Sequence, residues 1–322
     1  HGLFYLTVKY RRTRFPMTAE FIKNIFAPFQ YIRRKTRPWR RRRRGLERRL
    51  LEVEKITRAM VSLYAWDLRK KLLAESRYIE EKRLPRFGFK AYSQNEEDGI
   101  IQEIFRRIGT ANKTFVEIGV SSGLESNTLY LLLQGWRGLW IEGSPEFVDL
   151  INQKFDFALN NGTLKVKHAW VQRENINQLI AERQEGSEDL DLLSLDIDGN
   201  DYHVLEAMDL LNARVVIVEY NPKYQPPVKW VMKYNPNHSY DGSSDYLGAS
   251  LKSFEILLSA KGYKLVGCNL LGINAFFVRA DLVKNHFLDD CSAENHYEPE
   301  RFFLQEGLTP LHVSNFGPFQ IK

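Results

Sequence analysis

The chain has 322 residues, 43% of them hydrophobic, with 46 Lys/Arg against 40 Asp/Glu. That length buries one large α/β core with an appendage, and the apolar share is ordinary for a soluble globular protein. Only two cysteines, Cys268 and Cys291, exclude a disulfide framework or zinc site, and no run of 18 apolar residues exists to form a transmembrane helix.

The net charge of +6 is the sum of two opposed parts. Residues 1–50 hold sixteen Lys/Arg and two acids, Glu20 and Glu47, so the other 272 residues carry about eight negative charges. The larger part therefore lacks the positive field of a nucleic-acid enzyme. Cys268, in an apolar run, reads as a buried thiol and fits a reducing, cytoplasmic compartment.

Residues 1–16 read as an upstream extension, with a natural-looking start at Met17. Nine of the twelve residues from Arg33 to Arg44 are basic, and Phe26, Phe29, Tyr31 and Trp39 lie nearby. Such a segment is a solvated, flexible arm, a dock for an anionic membrane surface, or a contact for RNA or DNA. Leu46 to Leu84 has helical periodicity (Leu50, Ile56, Met60, Leu63, Leu72) and is expected to be a neck or cap ended by Pro85.

From residue 86 to 283 the pattern alternates between strand and helix. The predicted order is helix Asn95–Ile108, strand Thr114–Ile118, helix Ser126–Gln134, strand Gly138–Glu142 and helix Pro145–Phe155. Strand Leu164–Val171, helix Ile176–Arg183, strand Asp191–Asp196, helix Tyr202–Leu210 and strand Val215–Tyr220 follow. Helix Ala249–Ala260 and strands Tyr263–Gly267 and Ala275–Arg279 complete the series. Alternation of this kind predicts a doubly wound, mostly parallel seven-stranded sheet of Rossmann-like type. The link between the last two strands is too short for a crossover helix, so they should pair antiparallel. Residues 284–322 carry no strong pattern and are expected to wrap the domain.

Phe115 to Ser144 is the most telling stretch: an apolar strand ending at Glu117, a turn from Gly119 to Gly123, a helix, then a strand ending at Glu142. This is the opening of a nucleotide-binding unit. Glu142 lies 23 residues after Gly119, near the spacing of an acid that reads a ribose diol. The turn G-V-S-S-G puts Ser121 where a dinucleotide fingerprint has its second glycine, and Glu117 would repel a phosphate. Both features disfavour NAD and suit a cationic head such as the amino group of S-adenosylmethionine.

Residues Tyr92-Ser93-Gln94-Asn95-Glu96-Glu97-Asp98, Val116-Glu117-Ile118-Gly119, Ser126-Asn127-Thr128-Leu129-Tyr130, Gly135-Trp136-Arg137-Gly138 and Ile141-Glu142 resemble the FkbM-type, Star-like class I methyltransferases. The resemblance covers about Phe89 to Val283. It implies a seven-stranded methyltransferase sheet and S-adenosylmethionine binding, and it leaves the substrate open. Such proteins include sugar and natural-product O-methyltransferases and members without demonstrated chemistry.

On these readings Glu117, Gly119 and Gly123 hold the amino acid part of the cofactor. Glu142, with Gly143 and Ser144, holds the ribose, and Ala169 to Val171 flank the adenine. Strand ends supply Asp196, Asp198, Asp201, Glu219 and Asn221. Asp196, Asp198 and Glu219 offer three oxygens for Mg²⁺ or Ca²⁺, resembling metal-dependent O-methyltransferases. Otherwise they contact cofactor or substrate directly, or form a turn with Asp201 capping the next helix. Asp196, Asp198, His203, Glu219 and His238 are candidate proton acceptors. The long aromatic segment after the fifth strand, with His238 and Asp241, is a candidate acceptor pocket or lid.

The leading expectation is O-methylation of a sugar, glycolipid or small hydroxyl compound. The alternatives are a non-catalytic Star-like binding or trafficking protein and an RNA methyltransferase anchored by its basic arm.

Overall fold

The computed structural model describes residues 19–181, 190–208 and 212–307, with side chains described from residue 45 to 305 within those ranges. Residues 1–58 and 59–322 form two separate compact units. Helix α1, Ala19–Leu73, carries the basic run. The first sixteen residues, and the proposed start at Met17, lie outside the described residues. No described helix is long and apolar enough to cross a membrane.

The second unit begins with the end of α1, which stops at Leu73 rather than running to Leu84. A short helix α2 (Ser76–Ile79) follows, and Pro85 opens a 3-10 turn instead of ending a helix. Next come α3 (Glu97–Ile108), β1 (Thr114–Ile118), α4 (Leu129–Leu133), β2 (Arg137–Glu142), α5 (Pro145–Lys154), α6 (Asp156–Asn160) and β3 (Leu164–His168). Then follow α7 (Ile176–Ala181), β4 (Leu192–Leu195), α8 (Asp201–Ala207), β5 (Val215–Glu219) and α9 (Leu251–Ala260). β6 (Tyr263–Cys268), β7 (Asn274–Arg279), α10 (Ala280–Val283) and α11 (Ala293–His296) complete the unit, with a final 3-10 segment at Phe302–Gly307.

The seven strands form one sheet in the order β3-β2-β1-β4-β5-β7-β6. All neighbouring pairs are parallel except β5–β7 and β6–β7, as the short β6–β7 link predicts. The fold is the expected seven-stranded, mostly parallel α/β sheet. Alternate residues of each strand enter different cores: Val116 and Ile118 pack with Leu193 and Leu195 on one face, Phe115 with Leu192 on the other. Burial on both faces is why these strands read as unbroken apolar runs. Cys268 is buried, as expected.

Several boundaries differ from expectation, each for a local reason. Helix α4 begins at Leu129, three residues late, because the Asn127 and Thr128 N–H groups donate to Glu117 instead of pointing freely from a first helical turn. Helix α3 begins at Glu97: Asp98 Oδ2 accepts the N–H groups of Ala91, Tyr92 and Ser93 and folds the preceding segment into a loop. β3 ends at His168, so Ala169 and Val171 belong to the following loop. Helix α9 starts at Leu251, with Ser250 Oγ accepting the Ser253 N–H as its cap. Helix α8 ends at Ala207, before the expected Leu210, because Met208 is already extended (φ −75°, ψ 102°); the expected end of α7, Arg183, lies outside the described residues.

The chain after β7 is anchored to the start of the second unit. Glu298 accepts from Tyr78 Oη at 2.6 Å, Arg77 at 3.0 Å and Arg301 at 2.9 Å.

Candidate functional site

The chain fills the sheet outward from β1: β2 and β3 lie to one side, β4 and β5 to the other. Two loops therefore diverge at the carboxyl ends of β1 and β4, where an open α/β sheet binds its ligand. A cavity of about 460 Å³ opens there. Eleven of the twelve site residues singled out from sequence line it: Glu117, Gly119, Glu142, Gly143, Ser144, Ala169, Val171, Asp196, Asp198, Glu219 and His238. Gly123 does not.

The two turn glycines have distinct physical duties. Gly119 has φ +81°, and a Cβ there would lie 1.7 Å from the Asp196 carbonyl oxygen, so the ends of β1 and β4 approach only over a glycine. Gly123 has φ +75°, and its Cβ would meet the Trp140 ring at 2.6 Å. Its requirement is packing, which explains its absence from the cavity wall.

Glu117 is a scaffold residue as well as a lining one. Oε1 accepts the Asn127 N–H at 2.8 Å, and Oε2 accepts the Thr128 N–H at 3.0 Å and the Thr128 hydroxyl at 2.5 Å. Trp140 Nε1 donates to the same hydroxyl at 2.8 Å. Burial pushes the Glu117 carboxyl up to about 7 despite these donors.

Glu142 ends β2 with each oxygen held by one backbone donor: Ser144 N–H to Oε1 and Ser121 N–H to Oε2, both at 2.8 Å. Ser121 adopts φ +50° to present that N–H. Each carboxylate oxygen keeps a lone pair toward the cavity, the arrangement that accepts a vicinal diol. The Ser144 hydroxyl is used by the chain itself, accepting from the Phe147 N–H and donating to Glu146. Next to this end stands Trp170, a 46% exposed indole that packs over Gly143, with its Nε1 donating to the Pro236 carbonyl.

At the other end, Asp196, Asp198 and Glu219 bring one oxygen each within 4.8 Å of one another. Burial drives the Asp196 and Glu219 carboxyls well above the ordinary range, and the neighbouring acids push them further. Asp198 rises through burial and is drawn back by His238. Asp198 has φ +53°. Asp201 stands apart: its oxygens accept the Ile197 and Gly199 N–H groups at 2.8 Å and hold the 196–199 turn together. Its role is the structural one. Asn221 is likewise structural, donating to the Asp245 and Leu247 carbonyls.

The segment after β5 closes this side. His238 Nε2 donates to the Asp198 carbonyl at 3.2 Å, and the ring lies against Gly199, where a Cβ would meet it at 2.2 Å. Ser239 and Tyr240 complete the wall. Two other candidates fall away. His203 turns from the cavity, its Nε2 donating to the Met232 carbonyl at 2.8 Å beside Tyr234. Asp241 is exposed and accepts the Ser243 N–H.

Sequence reasoning missed Asn274. It is 4% exposed, lines the cavity, and stands opposite Glu219 in the β5–β7 pairing. A polar residue at the start of a strand is the only signal it gives.

The charge of the cavity is one-sided. Glu117, Glu125, Glu142, Asp196, Asp198 and Glu219 line it, and among the described residues no Lys or Arg does.

No known family profile matches the chain, and no curated protein sequence does. Among solved structures it is similar to the N-terminal domain of EvdMO1 with SAH bound, at 13% identity and TM-score 0.37, covering 65% of this chain and 94% of that one. It is also similar to CalS10, an amino pentose methyltransferase from Micromonospora echinaspora solved with SAM, at 12% identity and TM-score 0.36, covering 59% and 92%. A third is an S-adenosylmethionine-dependent methyltransferase from Clostridium acetobutylicum, at 11% identity and TM-score 0.33, covering 55% and 88%. Overlaps this partial leave the fold to be defined by the chain's own strand order.

Proposed function

We propose that this protein is an S-adenosylmethionine-dependent methyltransferase of the FkbM type that methylates a hydroxyl of a sugar, glycolipid or related small molecule. One observation carries the reading: a nucleotide-type cavity with six carboxyl groups and, among the described residues, no lysine or arginine on its wall. A pyrophosphate-bearing dinucleotide would face carboxyl groups with Lys90 present only as a partner of Glu125, whereas an adenosyl ligand with a sulfonium and an ammonium group meets complementary charge. Glu142 takes the ribose diol. Glu117 and the Gly119 turn face the amino acid portion, and Ala169 to Val171 flank the base.

Bound S-adenosylmethionine supplies a methyl group already activated on sulfur. The chain's work is to align an acceptor oxygen with that methyl, exclude water, and take the hydroxyl proton as the new carbon–oxygen bond replaces the carbon–sulfur bond. Asp196 and Glu219, at the β4 and β5 ends of the cavity, are the carboxyls offered to that proton. Burial and the neighbouring acids raise both carboxyls well above the ordinary range, so each holds a proton tightly once it has taken one. Asp198 and His238 form the acceptor side of the wall.

The basic run of α1 is assigned a second task, holding the enzyme at an anionic surface that carries the acceptor. Deleting residues 17–45 should then abolish binding to phosphatidylserine vesicles and leave soluble-substrate turnover intact. Loss of RNA affinity instead would favour the RNA methyltransferase.

Isothermal titration with S-adenosylmethionine, S-adenosylhomocysteine and NAD tests the core of the reading. Micromolar binding of the first two and none of the third is expected. No binding of either adenosyl ligand would leave the non-catalytic reading standing. Mass spectrometry of candidate glycans for the gain of one methylene then identifies the acceptor.

A further inference from the structure

The acids at the β4 and β5 ends sit close together with no Lys or Arg beside them on the cavity wall among the described residues, and an acidic cluster alone does not define a site. Asn274 adds an independent observation. Its Nδ2 donates to Glu97 Oε1 at 2.9 Å. Glu97 is a fully buried acceptor: Oε1 also receives Asn269 Nδ2 at 2.9 Å and Asn95 Nδ2 at 3.3 Å, and Oε2 receives the Asn95 N–H at 2.8 Å. A carboxylate ringed by donors fixes which way the Asn274 amide faces, since turning it over would set oxygen against oxygen. The amide oxygen is thereby directed away from Glu97. It is buried and has no hydrogen-bond partner, on a side chain that lines the cavity opposite Glu219. An unsatisfied buried oxygen costs about 1–3 kcal/mol, so it implies a partner that is part of the working molecule.

We propose that Asp196, Asp198, Glu219 and Asn274 together bind one divalent cation of the Mg²⁺ or Ca²⁺ class, with Asn274 Oδ1 as the neutral ligand and Glu97 as the residue that positions it. Four hard oxygen donors with neither sulfur nor imidazole among them select such ions over zinc or copper. Water and an acceptor oxygen complete the shell. Its use in the reaction rests on the methyltransferase reading, where it would bind the acceptor hydroxyl and ease loss of the proton to water, Asp196 and Glu219 then serving as ligands rather than as proton acceptors. Its binding does not depend on that reading.

Mn²⁺ is the probe, followed by electron paramagnetic resonance of the full-length protein without any adenosyl ligand. One Mn²⁺ per chain should bind, with Mg²⁺ or Ca²⁺ displacing it. Asp198→Asn, at an exposed position that leaves the core untouched, should weaken binding about tenfold or more. Asn274→Ala should do the same while retaining wild-type circular dichroism and S-adenosylhomocysteine affinity. Failure of Mn²⁺ to bind, or binding indifferent to Asp198→Asn, overturns the site. Binding unchanged in Asn274→Ala removes Asn274 as a ligand. A protein that binds S-adenosylhomocysteine but no Mn²⁺ refutes the cation alone, and the reverse result refutes the methyl donor alone.

Discussion

Replacing Glu96 with Gln isolates the energetics of one buried charge. Glu96 precedes α3 with no exposed surface. Its Oε1 accepts the Leu270 N–H at 2.6 Å and the Leu271 N–H at 3.3 Å, while Oε2 has no hydrogen-bond partner. Burial pushes the carboxyl from 4.5 up to about 7, against the pull of the Arg69 charge and with the help of Glu97. An acid raised in this way stabilises the fold fully below its unfolded pKa and loses that contribution as the pH climbs through its folded one. The window therefore runs from the ordinary glutamate value of 4.5 to about 7. At about 1.4 kcal/mol per pH unit, the contribution lost is about 3 kcal/mol. Glutamine does not titrate, so its stability relative to wild type should improve by about that amount between roughly pH 4.5 and 8. Urea unfolding followed by far-UV circular dichroism at both pH values measures the difference, and acids common to both proteins cancel. A difference that stays flat, or that moves in favour of wild type as the pH rises, would refute the reasoning. It would mean that Arg69 outweighs burial and Glu96 is ionised in the fold.

Glu142→Ala removes the acceptor for a ribose diol. With each hydrogen bond to a charged group worth about 1.5 kcal/mol, affinity for S-adenosylhomocysteine should fall on the order of a hundredfold in calorimetry. Gly119→Ala forces a Cβ to within 1.7 Å of a backbone oxygen at φ +81° and should cost roughly 2–4 kcal/mol in urea unfolding. Asp191→Ala strips a buried carboxylate from the Ala111, Asn112 and Thr114 N–H groups and from Arg214, so a loss of about 3–5 kcal/mol is expected. A cost below 1 kcal/mol, as for an exposed pair, would contradict that account.

Much of the sheet was legible because strands buried on both faces leave unbroken apolar runs, and because each run ends in a residue that cannot be buried without a partner. Glu117, Glu142, Asp196 and Glu219 stood out for that reason. Their division of labour was not legible. Glu117 looks like a ligand contact in sequence, yet it first organises Asn127 and Thr128 and shortens the helix that follows. Asp201 looks like a member of the acid cluster, yet it ties down a turn. Asn274 depends on Glu97, 177 residues away, and no periodicity links such a pair. His203 occupies a site-facing stretch of sequence but points the other way, because helical phase places it against Met232 and Tyr234.

The contact between Gly119 and the Asp196 carbonyl has a mechanical consequence. The nucleotide-side turn and the acid-side turn touch with no room between them, so neither can swing without the other. Whatever widening admits a bulky acceptor has to occur along the outer wall. There, residues 234–238 are fastened by six hydrogen bonds, from Trp170, Gln172 and Asn200 Nδ2 to backbone carbonyls, from the Asn235 N–H to Asn200 Oδ1, from Tyr234 to Glu174, and from His238 to the Asp198 carbonyl, most of them near solvent. The cavity thus has one wall locked by backbone contact and one held by side-chain hydrogen bonds, which are the weaker constraint.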